Sequence, residues 1–114
     1  MAKKQIFQLI RSGGHTEPVE YYPMIFDRGS EAWRLALHRD PVLAGKGEWI
    51  VSDPVSGYRV CRVTATHKGM PVSSKDLSQR QALAAALVDL HQCVDRVGLA
   101  RFSEALTKAQ KGKL

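Results

Sequence analysis

At 114 residues the chain is long enough for one hydrophobic core and too short for two comfortable ones. Hydrophobic residues make up 44% of it and prolines number only five, which excludes a disordered chain. Seventeen Lys and Arg against 11 Asp and Glu leave a net charge of +6, which suits phosphate-rich partners or an acidic protein surface and equally serves to keep a small domain dissolved.

In chain order, Lys4 to Ile10 (KQIFQLI) is a short apolar run that stops at Ser12-Gly13-Gly14 and reads as a first strand. His15 to Pro23 contains two prolines and reads as an extended loop; Tyr21 to Phe26 (YYPMIF) is an edge strand or irregular segment, since Pro23 lacks a ladder donor. Residues 30–39 are ambiguous. Ser30 is a fair N-cap, and Glu, Ala, Leu and Arg favour a short helix. Trp33, Leu35 and Leu37 alternate as a strand would. The helix is the expectation and the strand the alternative.

Glu48 to Ser52 (EWIVS) and Tyr58 to Thr66 (YRVCRVTAT) flank Asp53-Pro54-Val55-Ser56-Gly57, predicting a central hairpin over 48–66. Cys61, Val63 and Ala65 form its more apolar face and should look toward a helix. Tyr58, Arg62 and Thr64, with Val60 among them, should look to solvent. His67 to Lys75 (HKGMPVSSK) reads as a polar connector.

Asp76 to Gly98 organises the chain. Leu83, Leu87, Leu90, Val94 and Val97 recur at steps of four and three, widened by Ala82, Ala86 and Cys93, which is one face of a helix. Asp76 with Gln79, or Ser78 with Gln81, can close a capping box, and Gly98 stands where a helix ends. A shorter amphipathic helix follows on Leu99, Phe102, Leu106 and Ala109. The predicted fold is α+β: a small antiparallel sheet with a central hairpin, packed against one long C-terminal helix and flanked by helix 99–110. It forms a single domain over 1–114, with a flexible basic tail at 111–114.

His15, His38, His67 and His91 lack ligand-like spacing, so no metal site is expected, and no motif implies a cofactor. No nucleophile elbow or phosphate-binding loop occurs, and Cys61 and Cys93 fall on inward faces; the expectation is not an enzyme. With no Cys-x-x-Cys pair, no signal-like apolar run in MAKKQIFQLIRSGG and no membrane-length segment, a cytoplasmic location with reduced thiols is expected.

The cations at the entrance of the long helix carry more information. A helix N-terminus presents N–H groups and a positive dipole end, and His67, Lys68, Lys75 and Arg80 lie beside it. They form a candidate phosphate-contacting site, to which Arg59 and Arg62 on the hairpin add a second basic strip; a solvated cap with ordinary surface lysines fits the same residues. The order strand, strand, basic loop, Ala-rich helix in EWIVSDPVSGYRVCRV and KGMPVSSKDLSQRQALAAALVDL resembles the second half of a double-stranded RNA-binding domain over less than half the chain. Ser74-Lys75-Asp76 stands where that family carries adjacent lysines. Two functions follow as expectations. One is a small regulatory accessory protein that binds nucleic acid. The other is a protein–protein adaptor or inhibitor, dimeric in one form, that uses a free sheet face or an edge strand and draws on the aromatics Tyr21, Tyr22, Trp33, Trp49 and Tyr58.

Overall fold

Alternating apolar residues turn the first half of the chain into sheet. The computed structural model describes residues 5–10, 14–40 and 47–112. Strands β1 (Gln5–Ile10), β2 (Thr16–Arg28), β3 (Glu31–Arg39), β4 (Trp49–Ser52) and β5 (Arg59–Arg62) form an antiparallel meander in sequence order. A separate two-stranded ribbon follows, β6 (Thr64–His67) with β7 (Met70–Ser73), and then helices α1 (Gln79–Val97) and α2 (Leu99–Lys111). The α+β architecture is the one the sequence predicts. Of the tail expected at 111–114, Lys111 closes α2 and Gly112 caps it, while 113–114 lie outside the described residues.

Four segments differ from expectation, the first being the second hairpin strand predicted over 58–66, which ends at Arg62 and resumes at Thr64 in the separate ribbon. Residues 31–39 are strand, not helix: Glu31 to Leu37 pair with Arg28 back to Tyr22, and Ala36 to Arg39 pair with β4. The run looked helical because Leu35, Ala36, Leu37 and His38 are all buried, and a strand covered on both faces loses its apolar alternation. Residues 16–23 are strand, not loop. Thr16 to Tyr21 pair only with β1 and Tyr22 to Arg28 only with β3, so each half of β2 has a free edge, where prolines are tolerated. Residues 67–73 are hairpin, not connector: Lys68 (φ 51°) and Gly69 (φ 79°) make the two-residue, double-positive turn that joins β6 to β7.

Alternation sends Met24, Phe26, Leu35, Leu37, Trp49 and Val51 to the helix side, where they meet Val63, Leu90 and Phe102. The stripe that α1 buries is rotated from the expected one. Its centre is Ala82, Ala86, Leu90 and Val94, while Leu83 and Leu87 are half-buried flanks and Val97 is 40% exposed. Two alanines let the helix backbone lie close to the sheet, which a leucine row would hold away. Ser78 and Gln81 form the reciprocal cap, so of the two candidate boxes the second is the real one. Arg28 at the end of β2 grips the far half of α1 through Asp95 and through His91 Nδ1 (3.1 Å), which must therefore accept.

The sheet face remote from the helices, expected free, is half covered. The 16–21 half of β2 leaves β3 and folds over with β1, so that Phe7, Leu9, Val19 and Tyr21 enclose Ala36 in a second core. The Ile10 N–H donates to Gly57 O (2.9 Å), which fastens β1 to the β4–β5 turn. The Ile25–Arg34 part of that face remains exposed. A bulge between Val51 and Ser52 lets both Val60 and Cys61 lean on the helix-side core, although Val60 was expected to look outward.

Candidate nucleic-acid interface

The predicted cations divide into three places. Lys68 sits at the tip of the ribbon, Lys75 two residues beyond its base, and Arg80 in the first turn of α1; all three are exposed. Arg62 lies beside the ribbon base but is spoken for: its Nε and Nη2 donate to both oxygens of Glu48 at 2.7 and 2.6 Å. Arg59 belongs elsewhere, on the wall of a groove against α2. The strip of Arg59 and Arg62 is therefore not a unit.

Around the helix entrance, a residue that sequence reasoning passed over does the bracing. Arg39 Nη1 donates to Lys75 O (2.8 Å) and Gly47 O (3.1 Å), and its guanidinium stacks 4.3 Å from the Trp49 ring centroid. Trp49 donates from Nε1 to Leu77 O (2.9 Å) and from its backbone N–H to Ser74 Oγ (2.9 Å). These bonds fix the backbone of 74–77 while leaving the Lys75 side chain in solvent. The Ser78–Gln81 box already occupies two of the N-terminal donors, so the anion attraction here rests on side-chain charge more than on free N–H groups.

The ribbon is held to the body at its root. Asp89 of α1 accepts the Thr64 N–H at 2.7 Å, and burial raises the pKa of this carboxyl while that bond works the other way. Beyond the root almost nothing is covered: of the eight paired residues only Ala65 is buried. The register places Thr64, Thr66, Pro71 and Ser73 on one face and Ala65, His67, Met70 and Val72 on the other.

A serine–histidine pair also exists, at His38 Nε2 and Ser52 Oγ, 2.7 Å apart. His38 Nδ1 lies 2.9 Å from Arg39 O, which only accepts, so the proton is on Nδ1 and Ser52 donates to Nε2. Ser52 is fully buried, so no substrate reaches it, and the pair acts as a brace inside the second core. Burial lowers the His38 pKa below 6.5, with Arg59 adding to the shift and the Arg39 carbonyl opposing it. The unfolded chain then takes a proton near pH 6.5 that the fold resists. Stability is full above that pH and falls below it, by at most about 1.4 kcal/mol per pH unit. Urea melts at descending pH should show this fall, and His38→Gln should flatten it; an equal slope in both proteins would remove His38 as the cause.

Cys61 and Cys93 are half-buried, and burial, with Asp89 and Cys93 nearby, pushes the Cys61 pKa up to about 12. Among the described residues no cluster of His, Cys, Asp or Glu is arranged to hold a metal ion, and no helix is long and apolar enough to cross a membrane. The ribbon intervenes between the hairpin and the Ala-rich helix, in the place where the likeness to a double-stranded RNA-binding domain has a plain loop. Comparison with protein-family models, with curated proteins and with solved structures yields no match to this chain.

Proposed function

We propose that this is a non-enzymatic DNA-binding accessory protein that inserts the β6–β7 ribbon into the major groove, with Lys75 and Arg80 steadying the flanking phosphates. The observation that carries the reading is the bare ribbon itself. A two-stranded hairpin without a hydrophobic cover is marginal on its own, and this one is anchored at its root, meets the body through Ala65 and is otherwise exposed. Four residues per strand span about 13 Å from root to tip, and two strands lie about 4.8 Å apart. A major groove about 12 Å wide and 8.5 Å deep admits such a ribbon. A-form RNA, whose major groove is deep and narrow, does not, which favours DNA. Lys68 at the tip and Thr64, Thr66 and His67 along the strands supply charge and hydrogen-bonding groups to the groove.

Affinity for a DNA duplex should fall steeply with salt. Replacing Lys68, Lys75 and Arg80 together by Ala should flatten log affinity against log salt by about two to three units, because each duplex phosphate contact contributes about 0.9. Melting behaviour should stay near wild type, since all three side chains are exposed. Absence of duplex binding near physiological salt, or equal binding by the triple variant, would sink the assignment.

A further inference from the structure

Between β5, the C-terminal half of α1 and α2 lies a groove of about 690 Å³. Its lining includes Val60, Cys93, Val97, Phe102 and Leu106. Val97 and Tyr58 turn 40% and 53% of their surface to solvent here, although the helix stripe nominated Val97 for the core. Around this apolar lining stand Arg59 from β5 and Arg101 and Lys108 from α2. Arg101 and Lys108 are seven residues apart, so they share a helix face at a separation of about 10.5 Å. Ala105 lies between them on the same face and leaves the way open. One acid, Glu104, also lines the groove, and no ion pair among the described residues engages Arg59, Arg101 or Lys108.

We infer that this groove binds a small amphipathic anion, with an apolar chain laid on Val60, Val97 and Phe102 and an acidic head held by Arg59, Arg101 and Lys108. The volume falls in the range of about 300–1,000 Å³ typical of small-molecule sites, and the mix of apolar walls with a few convergent polar groups is their usual chemistry. Three cations against one acid select the sign of the head. Guanidinium groups, with their planar fork of donors, select a carboxylate or phosphate in preference to a halide. A nucleic-acid backbone has no apolar body with which to fill the lining. The groove therefore serves a different ligand from the ribbon, and the inference stands or falls apart from the DNA-binding reading.

Decanoate, below the concentration at which it forms micelles, is a suitable probe, followed by calorimetry and by tryptophan emission; Trp33 lies 5.1 Å, centroid to centroid, from Phe102 in the lining. One saturable site is expected, with decylamine and acetate each at least tenfold weaker. Arg59→Ala with Arg101→Ala should weaken decanoate binding at least tenfold while leaving the fold and DNA retention near wild type, because both side chains are exposed and neither is among the ribbon's cations. Ala105→Trp should block the groove and abolish binding. Non-saturable uptake, equal affinity for decylamine, or decanoate binding that survives Ala105→Trp would each overturn the inference. So would failure of decanoate where an acidic amphipathic helical peptide binds, since the occupant would then be a protein segment.

Discussion

Leu90→Ala is expected to destabilise the protein by about 3–5 kcal/mol in urea melts, the upper part of the range for large-to-small core changes. Leu90 is wholly buried, on the line of α1 where Ala82, Ala86 and Val94 press the helix against the sheet. That line cannot relax into the void. The alanines already bring the helix close, and the sheet opposite is stiffened by Leu37, Val51 and Val63, all without exposed surface. Leu87→Ala is the informative comparison. The apolar periodicity treats Leu87 and Leu90 alike, but Leu87 is only half-buried, so its loss should cost about half as much. Equal costs would restore the stripe read from periodicity, and a loss below about 1 kcal/mol at Leu90 would remove the helix from the core.

Gly57→Ala is the second large effect expected. Gly57 has φ +83°, and a Cβ there would lie 2.3 Å from the backbone oxygen of Gln8. The left-handed conformation alone costs an L-residue about 1–2 kcal/mol. The collision adds to this because its partner is backbone: relief requires β1 to move away from the β4–β5 turn. That movement breaks the Ile10 N–H to Gly57 O bond and loosens Phe7 and Leu9 from the second core. A total above about 3 kcal/mol is expected, with the strain and the lost contacts adding. Gly69→Ala separates the two causes. Gly69 has nearly the same φ, +79°, but nothing lies within 4 Å of its added Cβ, so only the conformational part should appear. If the two variants lose equal stability, the closure of β1 on the turn contributes nothing.

The brace at His38 and the ribbon's salt dependence are smaller effects, and they bear on different parts of the chain. The second core that His38 enters had no signature in the sequence. Its residues come from β1, β2 and β3, and the fold-over that joins them depends on β2 exchanging one partner for another between Tyr21 and Tyr22. The buried set of β2 changes phase at that exchange, from the odd residues Val19 and Tyr21 to the even residues Met24 and Phe26, but Tyr22 and Ile25 fill the opposite phase with apolar side chains, so residue type alone blurs the change.

What the sequence determined by itself was local. The helix over 79–97, its Ser78–Gln81 cap, the glycine at its end and the hairpin around 53–57 follow from spacing and turn chemistry within a few residues. Neighbours in the chain dictate them. Tertiary structure decided whatever needed a distant partner. Residues 31–39 became a strand because β2 and β4 pair with them on either side, against their helical propensity. The ribbon stayed hidden because a lysine, not the customary asparagine or aspartate, takes the first positive-φ turn position. The choice of Ala82 and Ala86 over Leu83 and Leu87 for the centre of α1 rests on how close the sheet lies, a distance that periodicity does not carry. The groove is the extreme case: Arg59, Val97 and Lys108 come from three separate elements, and only the packing of α2 beside β5 brings their charge and apolar surface to one place.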